Sequence, residues 1–118
     1  MITATQQQPL IDECRQLYET LASYGKKIKN FKSELYFFAP GKTSQQTLLG
    51  IEHFHNQFHI QLINIHDLKH ELKSHVHETE RYPNIGHRVP HHYMKDKINR
   101  LITDLDYLEE DFHQFINP

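Results

Sequence analysis

Apolar residues recur along this chain in alternating steps of four and three. Leu10, Cys14, Leu17, Leu21, Tyr24, Ile28, Phe31, Leu35 and Phe38 keep the alternation without a slip. Such spacing returns to one side of an α-helix every seven residues, and predicts a helix over 9–38 with one apolar seam. Pro9 suits a first helical turn, where a missing N–H costs nothing. Gly25 lies inside the pattern and is a residue type that closes helices. Because the seam keeps its phase across Gly25, the expectation is one helix, bent there. A break at Gly25, giving four helices, is the alternative.

Two further segments repeat the pattern. Leu48, Ile51, Phe54, Phe58, Leu62, Ile65, Leu68, Leu72 and Val76 predict a helix over 44–81. Met94, Ile98, Leu101, Leu105, Leu108, Phe112 and Phe115 predict one over 90–116. Pro40 with Gly41, and Pro83 with Gly86 and Pro90, punctuate the chain between them. Thr43 or Ser44 is placed to cap the second helix, and Thr43 with Gln46 has capping-box spacing. Residues 1–8 are polar and expected to fray. Short connections make sequential helices antiparallel. The fold class expected is therefore all-α: an elongated, antiparallel, up-down-up three-helix bundle with coiled-coil-like heptad seams. It forms a single domain over 1–118.

Charge adds an independent argument for that topology. The first helix is acidic early (Asp12, Glu13, Glu19) and basic late (Lys26, Lys27, Lys29, Lys32). The third is basic early (Arg88, Lys95, Lys97, Arg100) and acidic late (Asp104, Asp106, Glu109, Glu110, Asp111). Run parallel, the two match end for end. Each exposed pair contributes only about 0–1 kcal/mol, but the gradient disfavours the opposite arrangement.

Composition narrows the function classes. With 13 Lys+Arg against 15 Asp+Glu the formal net charge is −2, which gives no pull toward nucleic acid or anionic lipid. No apolar run reaches membrane-spanning length. The start, MITATQQQPL, has neither a basic nor an apolar signal region. A single cysteine, Cys14, excludes an intrachain disulfide and fits a reducing compartment. A cytoplasmic protein is expected. The GKT at Gly41–Thr43 is not a phosphate loop, because Tyr36 stands where the motif needs glycine and no strand precedes it.

Histidine is the unusual residue, with 11 in the chain. On a wheel of about 100° per residue, His55, His59, His66, His70 and His77 fall within an arc of about 60° at the edge of the second helix's apolar face. His53 and His75 fall on the far, polar side. His55 with His59, and His66 with His70, have the i, i+4 spacing that lets two imidazoles reach one ion. Further ligands would come from Glu52, from His92, Asp96 or His113 of the third helix, or from a second copy. The pattern H-E-x-x-H is absent. A second cluster, HRVPHH at 87–92, sits at the turn into the third helix. Cys14 lies on the apolar seam and is read as a small buried hydrophobe, not a nucleophile. No residues are assigned to catalysis and no cofactor is required.

Ile60 and Ile63 lie off the main seam of the second helix, which leaves apolar surface for association. The function expected is a non-catalytic interaction or structural module that self-associates or binds a protein partner. The alternative is a metal-binding protein holding zinc or another transition metal on His55, His59, His66 and His70.

Overall fold

The computed structural model describes residues 4–82 and 88–118, and side chains within 8–82 and 90–118. These residues form three helices: α1 (Ala4–Phe38), α2 (Gln45–Arg81) and α3 (Arg88–Ile116). α1 starts five residues before the position expected from Pro9. Residues 4–8 include three glutamines, which are good helix formers, and Pro9 costs the first turns a single backbone bond. The Gln8 side chain also bonds Asp12 at 2.9 Å, one turn on. α1 runs unbroken through Gly25. α3 starts two residues before Pro90; the punctuation at Pro83 and Gly86, and His87 of the second histidine cluster, lie outside the described residues.

Between α1 and α2 the chain turns on Gly41, whose φ of 81° lies in the left-handed region that glycine adopts without strain. Backbone bonds from Ala39 N to Leu35 O (3.0 Å) and from Lys42 N to Ala39 O (3.2 Å) close the turn. Ser44 takes the N-cap of α2 in extended conformation, yet makes no side-chain cap bond. The capping box expected from Thr43 and Gln46 thus has no counterpart at the cap residue, and the start of α2 rests on backbone bonds and packing.

One set of buried residues recurs at seven-residue intervals on each of the three helices. They are Cys14, Leu21, Ile28 and Leu35 on α1; Phe58, Ile65, Leu72 and Thr79 on α2; and His91, Ile98, Leu105 and Phe112 on α3. Contacts give the directions. Glu13–Lys95 (3.1 Å), Tyr24–Asp106 (2.7 Å) and Lys27–Glu109 (3.1 Å) rise together in number, so α1 and α3 point the same way. Arg15 meets Glu80 (3.9 Å) while Phe31 meets Phe58 (ring centroids 6.0 Å), so α2 runs opposite to α1. The charge gradients of α1 and α3 thus meet as ion pairs at both ends. The rod measures 61 × 17 × 16 Å. No helix among the described residues is long and apolar enough to cross a membrane.

The core has a graded composition along the rod. One end is aromatic: Phe112 lies 5.5 Å from Phe31, 5.4 Å from Phe54 and 4.9 Å from Phe58, joining rings of all three helices. Ring pairs of this kind add about 0.5–1.5 kcal/mol beyond the area they bury. The middle is aliphatic. The far end, around Cys14 and His91, is polar.

Two glycines in helical segments test this packing in opposite directions. A Cβ at Gly25 would sit 3.8 Å from Ile65 Cγ2, an ordinary contact, so Gly25→Ala should stabilise the bundle by about 1 kcal/mol in urea denaturation. A Cβ at Gly50 would overlap the Phe115 ring, so Gly50→Ala should destabilise by about 1–3 kcal/mol despite its better helix propensity. A third prediction concerns Tyr24. Burial, then the hydrogen bond it donates to Asp106, push its phenol up from 10.0 to about 12. The neutral phenol is the form that folding favours, so its contribution to stability is complete below pH 10 and fades as pH rises toward about 12. An ultraviolet tyrosinate titration should show one late step near pH 12, and Tyr24→Phe should remove it.

Candidate functional site

The polar end of the seam is built by the same periodicity as the rest of the core. Cys14 stands one heptad before Leu21, and His91 one heptad before Ile98. Thr79 stands one heptad after Leu72, and donates its hydroxyl back to His75 O at 2.8 Å. His75 itself is one heptad after Leu68. Positions that hold Leu, Ile or Phe elsewhere here hold Cys, His and Thr.

The result is a compact cluster with one member from each helix. Ligand-capable atoms of Cys14, His75 and His91 all lie within 4.8 Å of one another. Cys14 Sγ is 3.5 Å from His91 Nδ1. The His75 and His91 rings lie 5.5 Å apart, tilted by 33° to one another. Cys14 is 1% exposed and His91 6%, while His75 is half-buried. Behind His91, its Nε2 lies 3.3 Å from Glu13 Oε1, which also stands in an ion pair with Lys95 Nζ at 3.1 Å. A chain of contacts thus runs Cys14–His91–Glu13–Lys95. Burial pushes the Glu13 carboxyl up, but the contacts from Lys95 and His91 outweigh it and hold the group below its ordinary value. Burial, and then the Glu13 charge, push the Cys14 thiol up to about 11.

The α2 histidines are placed differently. His55, His59, His66, His70 and His77 are all exposed. The structure brings His66 and His70 together, edge to face at 4.5 Å. Lys69 and Lys73 share that shallow surface, each over the Tyr18 ring at 5.0 and 5.3 Å. His55 lines a separate groove with Leu48 and Ile51. Of the α3 candidates, His92 pairs with Asp96 at 3.6 Å and His113 packs on the Phe31 ring at 5.3 Å. Among the described residues, the three-ligand cluster is Cys14, His75 and His91, and it contains no member of the stripe.

The position of His75 corrects the sequence reading, which put it on the polar side of α2. Tracing the seam through Val76 turned His75 outward. The heptad that runs Phe54, Gln61, Leu68, His75 turns it inward, where α3 covers it. The signal for His91 was equally present, in its register with Ile98, Leu105 and Phe112. No protein-family model matches the chain, and no curated protein or solved structure matches it.

The thiol gives a direct check on this geometry. Cys14 should react with a disulfide reagent such as Ellman's at least roughly tenfold more slowly in the native protein than in guanidinium-unfolded chain at pH 8, because only the thiolate attacks and burial withholds it. Equal rates would mean that the end of the bundle is open.

Proposed function

We propose that this protein is a non-catalytic helical module that pairs with a second copy of itself through the outer face of α2, in a reducing compartment such as the cytoplasm. The observation that carries this reading is a strip of exposed aliphatic residues. Leu49, Ile60 and Ile63 are 58%, 46% and 48% exposed, and their spacing puts them within about 60° of arc on one side of the helix. Phe54, Phe58 and Ile65 occupy the buried side of the same helix.

The strip is self-complementary at Leu49, Asn56 and Ile63, while Ile60 falls opposite Glu52. A two-fold contact centred on Asn56 sets Leu49 of one copy against Ile63 of the other, with each Asn56 facing its counterpart. Such a contact uses the same patch twice and closes on itself, so it yields a dimer and not a filament. A paired asparagine among aliphatic residues also favours this register, because a slip of four residues sets the amide against Ile60. The net charge of −2 offers no competing preference for nucleic acid or anionic membrane.

A second reading is a transition metal held by His55, His59, His66 and His70. It has the His66–His70 ring pair in its favour, and the neighbouring ammonium groups of Lys69 and Lys73 against it.

Sedimentation equilibrium across micromolar to millimolar concentration tests the module. The wild-type chain should shift from one to two copies. Ile60→Glu/Ile63→Glu should remain a single copy with unchanged helical circular dichroism, since both positions are exposed. A wild-type monomer throughout, or a dimer indifferent to the double substitution, overturns the reading.

A further inference from the structure

We propose that Cys14, His75 and His91 form a transition-metal site, best suited to zinc, that ties the three helices together at the polar end of the bundle. The proposal is independent of self-association and uses none of the α2 stripe.

The first argument is spacing. A tetrahedral zinc ion with one sulfur at about 2.3 Å and nitrogens at about 2.0–2.1 Å holds neighbouring ligand atoms about 3.5 Å apart. Cys14 Sγ and His91 Nδ1 stand 3.5 Å apart. The full set lies within 4.8 Å, so rotamer adjustments of about 1 Å bring the third ligand in.

The second argument is the support behind His91. A metal on Nδ1 leaves Nε2 as the nitrogen that carries hydrogen, and Nε2 lies at ion-pair distance, 3.3 Å, from Glu13 Oε1. The two are buried polar atoms without a hydrogen bond, which a small turn of the His91 ring on metal binding would join. Glu13 is in turn held by Lys95 at 3.1 Å. A carboxylate behind a ligating imidazole fixes the tautomer and ring orientation that the metal needs. Glu13 is therefore a positioning residue for the site and not one of its ligands.

The third argument is the donor set with its approach. One thiolate and two imidazoles select zinc and similar borderline metals over calcium or magnesium, which take oxygen ligands. On binding, the Cys14 sulfur forms the bond to the metal and its proton passes to solvent. Cys14 also lines a surface groove between α1 and α2, with Tyr18, Leu72 and Val76. That groove is the side from which an ion would approach the buried thiol, and solvent would supply a fourth ligand. An ion bridging three helices stabilises the folded state, because the unfolded chain does not hold the ligands together.

Cobalt(II) is the probe. The full chain, purified without metal resin and stripped with chelator, is titrated with cobalt and then with zinc. The expected result is one equivalent of cobalt, a thiolate-to-cobalt charge-transfer band, tetrahedral visible bands, and displacement by zinc. Zinc should also raise the melting temperature. Cys14→Ala, a small substitution at a buried position, should abolish the charge-transfer band and the zinc-dependent melting shift. His75→Gln and His91→Gln should weaken binding at least about tenfold, and Glu13→Gln by about 10–100-fold. His66→Gln/His70→Gln, on the exposed stripe, should bind as wild type, and circular dichroism of each stripped variant reports whether it folds. The proposal is overturned if the wild-type chain gives no charge-transfer band and no melting shift with excess zinc. It is equally overturned if Cys14→Ala folds and binds unchanged, or if the stripe variant is the one that loses the metal.

Discussion

Three helices can share one thin core only if their apolar residues meet at the same heights along the rod, and that shared seven-residue register is what the rest of this structure depends on. With widths of 17 × 16 Å there is room for little more than one side chain from each helix at each level. Leu21, Leu72 and Ile98, all within 1% of full burial, show how completely each level is closed. A protein this slender has no second layer to absorb a poor fit. Most helical stability in proteins comes from packing of an apolar face and not from propensity, and α1, α2 and α3 are long because their seams are packed over their length.

The same constraint explains how polar groups come to be buried together. A seam position is covered by the other two helices whatever residue stands there. Cys14 and His91 occupy such positions, and burying them singly would cost desolvation with nothing in return. Placed at one level they answer one another, and Glu13 with Lys95 carries the polar contact outward to solvent. Electrostatics along the flanks follows from the register too, since Tyr24–Asp106 and Lys27–Glu109 are set by the heights at which α1 and α3 meet.

Much of this architecture was legible in the sequence, because periodicity is a local property. The uninterrupted step through Gly25 foretold a continuous α1, and the opposed charge gradients of the first and third helices foretold their common direction. The starts of α1 and α3 were less legible, as prolines Pro9 and Pro90 mark early turns without fixing which residue comes first. The stripe and the cluster separate on a different ground. Five histidines on one face of one helix are conspicuous in a sequence, whereas a site made of one residue from each of three helices is scattered over 77 positions, from Cys14 to His91. Seeing it requires knowing which levels coincide. The clue lay in register: Cys14, His75 and His91 each fall one heptad from a seam residue, and tracing α2 through Val76 hid one of the three.

A heptad seam has a weakness: sliding one helix by seven residues matches leucine to leucine almost as well as before. In the aliphatic middle of this rod such a slip would change little. At the Cys14–His91 level it would set imidazoles against Leu21 or Leu72 and leave Glu13 and Lys95 without their contacts. One polar layer near one end therefore acts as a vernier mark for the whole 61 Å assembly, distinguishing the native alignment from neighbours that hydrophobicity alone would rank nearly equal.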